Sequence, residues 1–208
     1  MARTDARGGP QTRARIREVA NRLFQDRGFD AVTVAEIARE AGVSSVTVFN
    51  HFPTKEDLFL DRADDAAEAL RAAIVDRSEG DAIAALREMM LRLVDAREPL
   101  SGVDPRSMPF YRTVAGSPAL IARARQIAWE LQQGLASTLR SDAAFAGDPD
   151  LLAAAFIAGY GTVMVATAAR MLAGETADSV VADHRARFET LFESLRNGFA
   201  ERHDPVLP

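Results

Sequence analysis

Apolar residues recur at spacings of three and four along nearly the whole chain, and this pattern restricts the fold more than any other feature of the sequence. Such spacing places apolar side chains on one face of an α-helix, whereas a half-buried strand would alternate apolar and polar residues. The sequence shows neither that alternation nor paired β-turn signals. We therefore predict an all-α protein made of helices joined by loops.

Three short helices are predicted near the N-terminus, and a tight turn joins the second to the third. The first covers residues 11–28 and ends at a glycine, which favours a helix C-terminus. Thr33 caps the second helix, and Glu36 at the third position completes a capping box. After a turn at residues 41–44, the third helix covers residues 45–52 and is ended by a proline. This arrangement predicts a helix-turn-helix.

Longer helices are predicted for the rest of the chain. A loop dense in Pro and Gly interrupts them at residues 99–109. The predicted helices cover residues 55–77, 81–97, 111–115, 118–141, a segment that starts at Pro149, and 178–200.

One segment has almost the length that a membrane-spanning helix requires, because residues 151–169 carry no charge. Nine of these 19 residues are Ala or Gly, so the transfer free energy per residue into a bilayer is weak. We therefore predict a helix that is buried on every face and packed through its small residues, and no membrane partner. The first ten residues lack the apolar core of a signal peptide and are interpreted as part of an N-terminal arm.

Charge is distributed unevenly along the chain, although the net charge is only −5. Residues 1–55 hold nine Arg or Lys against six acidic residues, whereas the remainder holds 16 basic and 24 acidic residues. A basic head on an acidic body is typical of a protein whose head meets phosphate, although a small excess is also common on a solvated face. The chain has no cysteine, which excludes disulfides and thiolate metal sites and agrees with a reducing, cytoplasmic compartment.

The most specific motif is AVTVAEIAREAGVSSVTVFNHFPTKEDLF at residues 31–59, which follows F-x-x-x-G at Phe24 and Gly28. It combines T-V-x-x-I-A, A-G-V-S and H-F-x-x-K-E with an aromatic residue just before Asn50. On these motifs the chain resembles the TetR/AcrR family of helix-turn-helix transcriptional regulators over about residues 12–60, and beyond them only in its layout of helices. The chain departs from the family at Phe49, where Tyr is common, and so lacks one hydroxyl contact.

The resemblance implies three regions: a flexible N-terminal arm at residues 1–11, a DNA-binding head at residues 12–54, and a helical effector-binding and dimerisation domain at residues 55–203. The implied function is that of a dimeric repressor that binds a palindromic operator and is released by a small apolar effector, without a cofactor. Two other classes remain open, a helical sensor or adaptor without DNA binding and an all-α enzyme. Because the three histidines are scattered and no metal-spaced cluster is present, we predict no catalytic or metal-binding residue.

Helical spacing separates two faces on the third helix. At about 100° per residue, Val48 and Phe52 share an apolar face that must seat this helix on the first two. The side chains of Val46, Thr47 and Asn50 then point away, toward a major groove if DNA is bound. In that groove Asn50 can read adenine, and the methyl groups of Val46 and Thr47 can contact thymine methyls.

Phosphate contacts are implied by the family comparison at Thr33, His51 and Lys55. Alternatives exist for three residues: His51 can brace the turn, Lys55 can be solvated, and Phe49 can pack on sugar or on the core. The predicted DNA-binding residues are Thr33, Ser45, Val46, Thr47, Phe49, Asn50, His51 and Lys55.

An effector pocket is implied by the resemblance, and aromatic and flexible side chains are its candidate lining. Phe156, Tyr160 and Met164 lie at successive fours on one predicted helix, while Gln126 and Trp129 lie on another. In the alternative interpretation the apolar residues form plain core and Gln126 faces water. The predicted ligand-binding residues are Met90, Phe110, Tyr111, Gln126, Trp129, Phe156, Tyr160 and Met164.

A homodimer built from the last two long helices is predicted, because their apolar stripe and small residues exceed what one subunit needs. Four helices, two from each subunit, would then form the interface. The predicted dimer-interface residues are Ala158, Gly159, Val181, His184, Phe188, Leu191, Leu195 and Phe199.

Overall fold

The computed structural model describes residues 9–77 and 81–199. Most of the predicted N-terminal arm and the end of the predicted C-terminal domain lie outside the described residues, as does the side chain of Phe199. The described residues contain helices and no strand, which confirms the all-α prediction. The helices are α1 Pro10–Arg27, α2 Val34–Ala41, α3 Ser45–His51, α4 Lys55–Phe59, α5 Ala63–Val75, α6 Ala82–Asp95, α7 Met108–Gly116, α8 Pro118–Arg140, α9 Pro149–Leu172 and α10 Ala177–Phe199.

The predicted loop at residues 99–109 is confirmed in most of its length, where two short 3-10 turns stand at Pro99–Ser101 and Pro105–Ser107. The single helix predicted over residues 55–77 is wrong, because α4 ends at Phe59 and α5 begins at Ala63. Residues 60–62 include neither Gly nor Pro, so the sequence gives no local signal for this break. Packing decides it, since Leu58 is buried and Phe59 packs in an aromatic cluster.

Contacts divide the described chain into two compact units, and the division differs from the one predicted at residue 54. The first unit extends to Asp61 and also includes residues 109–125, whereas the second comprises residues 62–108 and the chain from Gln126 onward. Helix α8 contributes its first turns to the first unit and its remainder to the second.

The core of the first unit is formed by α1 to α4 together with the start of α8. Ile16, Ile37, Val48 and Phe52 are buried in one cluster, which also contains Leu120. Aromatic rings extend this cluster. Phe24, Phe29 and Phe59 pack against one another, and Phe110 of α7 stacks on Phe59 with 5.3 Å between ring centroids.

The turn between α2 and α3 has the geometry that the sequence predicts. Gly42 has φ +68° and ψ +33°, a left-handed conformation that favours glycine. Its N–H donates to carbonyls at the end of α2, while the Ser44 hydroxyl accepts a hydrogen bond from the N–H of Thr47 in α3. The helix-turn-helix is thereby confirmed.

In the second unit, α10 packs on α6 and α9 around buried apolar side chains. A buried histidine joins these elements to the loop after α6. His184 Nδ1 lies 2.7 Å from the hydroxyl of Thr167, and His184 Nε2 lies 2.8 Å from the carbonyl of Ser101. Because a carbonyl only accepts, Nε2 carries the proton and Nδ1 accepts from Thr167. Burial lowers the pKa of His184, so the neutral imidazole fits this site.

Candidate nucleic-acid interface

Helix α3 presents two chemically distinct faces, as its spacing predicts. Val48 and Phe52 are fully buried and seat the helix on the core of the first unit. On the opposite side the Val46 side chain is 69% exposed and that of Phe49 is 47% exposed. Asn50 is also exposed, and the structure gives its side chain no hydrogen bond within the described residues. An apolar surface with one amide therefore faces outward.

Both ends of α3 are anchored by side chains. At its N-terminus the Ser44 hydroxyl lies 3.0 Å from the Thr47 N–H and 2.8 Å from the Thr47 hydroxyl. At its C-terminus the Arg13 guanidinium of α1 donates to the His51 carbonyl at 2.7 Å. The same guanidinium lies over the Phe52 ring, 4.4 Å from its centroid. A cation at a helix C-terminus is favourable, so Arg13 fixes the position of α3. Sequence reasoning gave Arg13 no role.

Thr33 serves as the N-cap of α2 and is exposed. Its N–H and hydroxyl both donate to Glu36, at 2.9 and 2.8 Å, and the Glu36 N–H donates back to the Thr33 hydroxyl. The capping box is therefore confirmed. Hydrogen bonds from Arg27, and then from Thr33, lower the pKa of Glu36 to about 2. The carboxylate stays ionised and keeps Thr33 in a fixed orientation at the surface.

Lys55 has a structural role that the sequence did not indicate. Its ammonium donates to the carbonyls of Phe29 and Val32 at 2.9 and 3.0 Å. It also lies 4.1 Å from the centroid of the Phe29 ring. These contacts close the loop between α1 and α2 against the start of α4. The phosphate contact of Lys55 stays a prediction. The two carbonyl contacts explain independently why a cation is favourable at this position.

Several cations of the first unit are neutralised by ion pairs. Arg17 pairs with Asp61 at 3.4 Å, Arg22 with Glu40 at 2.6 Å, and Arg27 with Glu36 at 2.7 Å. Their charges therefore contribute little to an outward field.

Four exposed arginines of the first unit have no ion pair among the described residues, namely Arg15, Arg39, Arg112 and Arg125, and the first two belong to the helix-turn-helix region. Arg15 lies beside the turn of the helix-turn-helix, because a Cβ built on Gly42 would stand 3.4 Å from its guanidinium. Arg39 is on the last turn of α2, directly before that turn. No sequence motif indicates a role for Arg15 or Arg39. Both belong to the excess of basic residues counted in residues 1–55.

The predicted ligand-binding residues are divided between the two units. Phe110 and Tyr111 belong to the first unit, where Phe110 stacks on Phe59 and Tyr111 is buried. On α8, Gln126 donates to Glu130, and Trp129 is 59% exposed. The ligand-binding role of these four residues stays a prediction. Aromatic character alone does not tell which element a side chain packs on.

The other predicted ligand residues lie in the second unit, where Met90 and Phe156 are buried. Tyr160 donates its hydroxyl to the Leu100 carbonyl at 2.9 Å. Met164 approaches Gly102 so closely that a Cβ there would stand 2.4 Å from its sulfur. Tyr160 and Met164 therefore lie beside the loop after α6, and the Phe156 ring lies 6.5 Å from the Tyr160 ring, measured between centroids.

A cleft of about 430 Å³ lies between α5 and α8 in the second unit. Its floor is apolar and includes Leu70, Ile127 and Leu131. Acidic side chains, including Glu68, line its edge, and Glu68 is bonded to Arg71. None of the eight predicted residues lines this cleft.

The predicted dimer interface stays a prediction, and three of its residues are buried in the described chain. His184, Phe188 and Leu195 are buried within their own unit and are not free for a second subunit. Gly159 is also used internally, because a Cβ there would stand 2.3 Å from Leu191 of α10. Helical spacing identifies an apolar face but does not tell whether the same chain or another chain covers it.

A different apolar stripe is exposed on α9, which corrects the prediction that this helix is buried on every face. Its members recur at spacings of three, four and seven, and Val165 among them is 71% exposed. The opposite face of α9 is buried in the second unit. By length and composition alone, α9 is the one helix among the described residues that could cross a membrane, with a mean hydropathy of 1.8. The exposed stripe comprises Leu151, Ala158, Thr162, Val165, Ala169 and Leu172.

No group of three or more His, Cys, Asp or Glu in the described part of the chain is arranged to hold a metal ion.

Comparison with known proteins finds a family profile that matches the head. The sequence profile described as "Bacterial regulatory proteins, tetR family" matches residues 16–61, which include all predicted DNA-binding residues. The HTH-type transcriptional regulator AcrR of Shigella flexneri is 30% identical over 99 residues, which is 46% of each chain. The chain thus spans about half the length of the curated relatives it matches.

Solved structures resemble the whole chain. Thermus thermophilus FadR, a TetR family repressor in complex with lauroyl-CoA, matches with a TM-score of 0.56 at 24% identity, covering 94% of this chain and 99% of that one. A SmeT–triclosan complex matches with a TM-score of 0.57 at 15% identity, covering 95% and 99%. At such identities the likeness shows the fold alone, an N-terminal helix-turn-helix followed by a helical domain.

Proposed function

From the premise that this chain belongs to the TetR family through its N-terminal domain and has the TetR fold, we propose that it is a dimeric transcriptional regulator that binds operator DNA through α3. The observation that carries the proposal is the division of α3 into a buried and an exposed face. Val48 and Phe52 hold the helix, while Val46, Phe49 and Asn50 remain free. A short helix seated in this way is the reading element of a helix-turn-helix.

The exposed residues of the head divide by chemistry. Asn50 reads a base, because an amide can donate to and accept from the edge of adenine. The cations Arg15 and Arg39 join the predicted phosphate contacts at Thr33, His51 and Lys55, and they position the protein without specifying sequence. Ser45 and Thr47, at the start of α3, stand where a backbone or base contact is expected.

The dimer forms through the exposed stripe of α9. An uncharged stripe that carries Val165 and Leu172 is unfavourable in water and is removed from it in a homodimer. Ala158 keeps its predicted interface role in this proposal. The buried residues of α10 pack inside their own subunit and do not contact the partner. A twofold dimer presents two copies of α3 to the half-sites of a near-palindromic operator.

A small apolar effector weakens DNA binding and makes the protein a repressor. The ligands in the FadR and SmeT structures, lauroyl-CoA and triclosan, support an apolar class of effector. Phe156, Tyr160 and Met164 are the predicted contacts that the structure leaves close together. The effector acts by binding one of two conformations more tightly, and a hundredfold loss of DNA affinity needs about 2.7 kcal/mol of differential binding. The protein works in the cytoplasm, where its operator is found, and needs no catalytic group or cofactor.

The proposal is tested by selecting duplexes from a random library with the full chain and measuring their affinity by fluorescence anisotropy. We expect a near-palindromic duplex to be enriched and to bind as one dimer per site. Sedimentation should give twice 22.5 kDa for the wild type. Val165→Asp should give a folded monomer. Failure to enrich any duplex would contradict the proposed function. A dimer that persists in Val165→Asp would contradict the α9 interface.

A further inference from the structure

The outward face of α3 is apolar to an unusual degree for a surface expected to meet DNA. Val46 and Phe49 are among eight large hydrophobic side chains that the described residues leave exposed, and both lie on a helix of seven residues. Residues three and four apart are neighbours on a helix. Val46 therefore adjoins both Phe49 and Asn50, and the three form one surface, which we call the reading surface.

Hydrogen-bonding groups on α3 are few, because the Thr47 hydroxyl is already bonded to Ser44 at 2.8 Å. Asn50 supplies the amide of the reading surface. A base pair that suits this surface must offer a polar edge to one amide and an apolar group to its neighbours. In the major groove only the A·T pair does so, since adenine shows N6 and N7 and thymine shows O4 and a C5-methyl group.

We infer that the reading surface recognises A·T pairs by packing Val46 and Phe49 against the C5-methyl groups of thymine while Asn50 bonds to adenine. The inference rests on the proposed function and names the chemistry that its base-reading helix selects. Unmethylated cytosine offers an amino group where thymine has an oxygen, and it has no methyl group to cover the two apolar side chains. The excess of basic residues in the first 55 positions supplies the attraction to phosphate that brings the surface into the groove.

The experiment replaces single thymines by deoxyuridine in the duplex enriched from the random library. This change removes one methyl group and keeps base pairing and every hydrogen-bonding group. For the wild type we expect a loss of about fourfold in affinity at each thymine whose methyl is buried by the protein, since a buried methylene-sized group contributes this much.

The same duplexes are then measured with Val46→Ala and with Phe49→Ala. Each variant should bind the thymine duplex more weakly and lose its response to deoxyuridine at its own position, while responding normally at the other. Val75→Ala is the matched control, because Val75 is a similarly exposed valine at the end of α5 in the second unit. It should keep the full response to deoxyuridine. Both exposed sites allow truncation without loss of the fold, which a thermal melt verifies.

The outcomes separate the two claims. If no duplex is enriched, the proposed function fails and this inference fails with it. If a duplex is enriched but no deoxyuridine substitution changes affinity more than about twofold, against the fourfold expected for a buried methyl, DNA binding stands and methyl recognition is wrong. If deoxyuridine weakens the wild type and both variants equally at every position, other side chains read the methyl groups and the assignment to Val46 and Phe49 is overturned.

Discussion

The two units of the chain are stabilised in different ways. In the first, α2, α3 and α4 have only five to eight residues, and each has a side-chain cap at its N-terminus. Cations on main-chain carbonyls, Arg13 at His51 and Lys55 at Phe29 and Val32, add further polar contacts. In the second unit the helices have 13 to 24 residues, apart from the part of α8 assigned to the first, and pack through apolar faces.

This difference has a physical cause. Helices of one or two turns are unstable alone, because nucleation is costly and few hydrogen bonds repay it. The first unit therefore depends on caps and charged contacts that fix each short helix in place. The long helices of the second unit are stabilised by burial of apolar area, which is less directional. The surface proposed to read bases requires fixed geometry, and it lies in the unit with directional contacts.

The largest expected effect separates buried from exposed apolar residues in the second unit. Phe188→Ala should lower the free energy of unfolding by about 3–5 kcal/mol, because it leaves a cavity at a fully buried site. Val165→Ala should change the unfolding free energy of the monomer little, since its side chain is exposed. Urea unfolding at low protein concentration measures both. Equal losses would contradict the assignment of Phe188 to a buried face and of Val165 to an exposed face.

In the first unit, Lys55→Ala should cost about 1–3 kcal/mol of unfolding free energy, because two carbonyls lose a charged donor. Arg39→Ala is the control, since Arg39 is exposed and has no ion pair among the described residues. It should leave stability unchanged while weakening DNA binding. If the Lys55→Ala protein is as stable as the wild type, the two carbonyl contacts of Lys55 do not stabilise the first unit.

Removal of one cap should have a smaller effect. Ser44→Ala deletes the acceptor of the Thr47 N–H and should cost about 1 kcal/mol. Ser45→Ala, one residue later, removes a hydroxyl that is not the N-cap and should cost clearly less. Thermal unfolding of both variants tests the comparison. If the two substitutions cost the same, the cap does not explain the stability of α3.

Acidification should weaken the two units in different pH ranges, with the smallest effects of this series. The pKa of His184 is lowered by burial from its ordinary value of 6.5, so the unfolded chain binds its proton first and the second unit loses stability as pH falls below 6.5. The pKa of Glu36 is lowered from 4.5 to about 2, so its contribution is present above pH 4.5 and is lost below it.

Hydrogen exchange of α10 and α2 amides from pH 7 down to about pH 3 measures this difference. After correction for the pH dependence of the intrinsic exchange rate, exchange should accelerate in α10 at a higher pH than in α2. Glu36→Gln should flatten the acid response of α2 and leave that of α10 unchanged. Simultaneous loss of protection in both helices would contradict the assignment of separate titrating groups.

Local signals explain which features were predictable from the sequence. The capping box at Thr33 and Glu36 and the turn at Gly42 follow from short-range rules, and the buried seat of Val48 and Phe52 follows from helical periodicity. The contacts of Arg13 and Lys55 join residues 38 and 26 positions apart, so no local pattern indicates them.

Long-range packing explains what was missed in the second unit and at its boundary. The break after Phe59 and the inclusion of residues 109–125 in the first unit depend on which side chains meet in the fold. The apolar stripe of α10 was assigned to a dimer because periodicity shows only that a face is covered. Phe188 is covered by its own chain, whereas Val165 on α9 is left exposed.

The central claim, that α3 reads bases through its exposed face, is tested most directly by Asn50→Ala. Affinity is measured for the enriched duplex and for a random duplex at one salt concentration, with Arg39→Ala beside it. We predict that Asn50→Ala loses about 1–3 kcal/mol on the enriched duplex and keeps its affinity for the random one, whereas Arg39→Ala weakens both alike. Equal losses by Asn50→Ala on the two duplexes would contradict the claim.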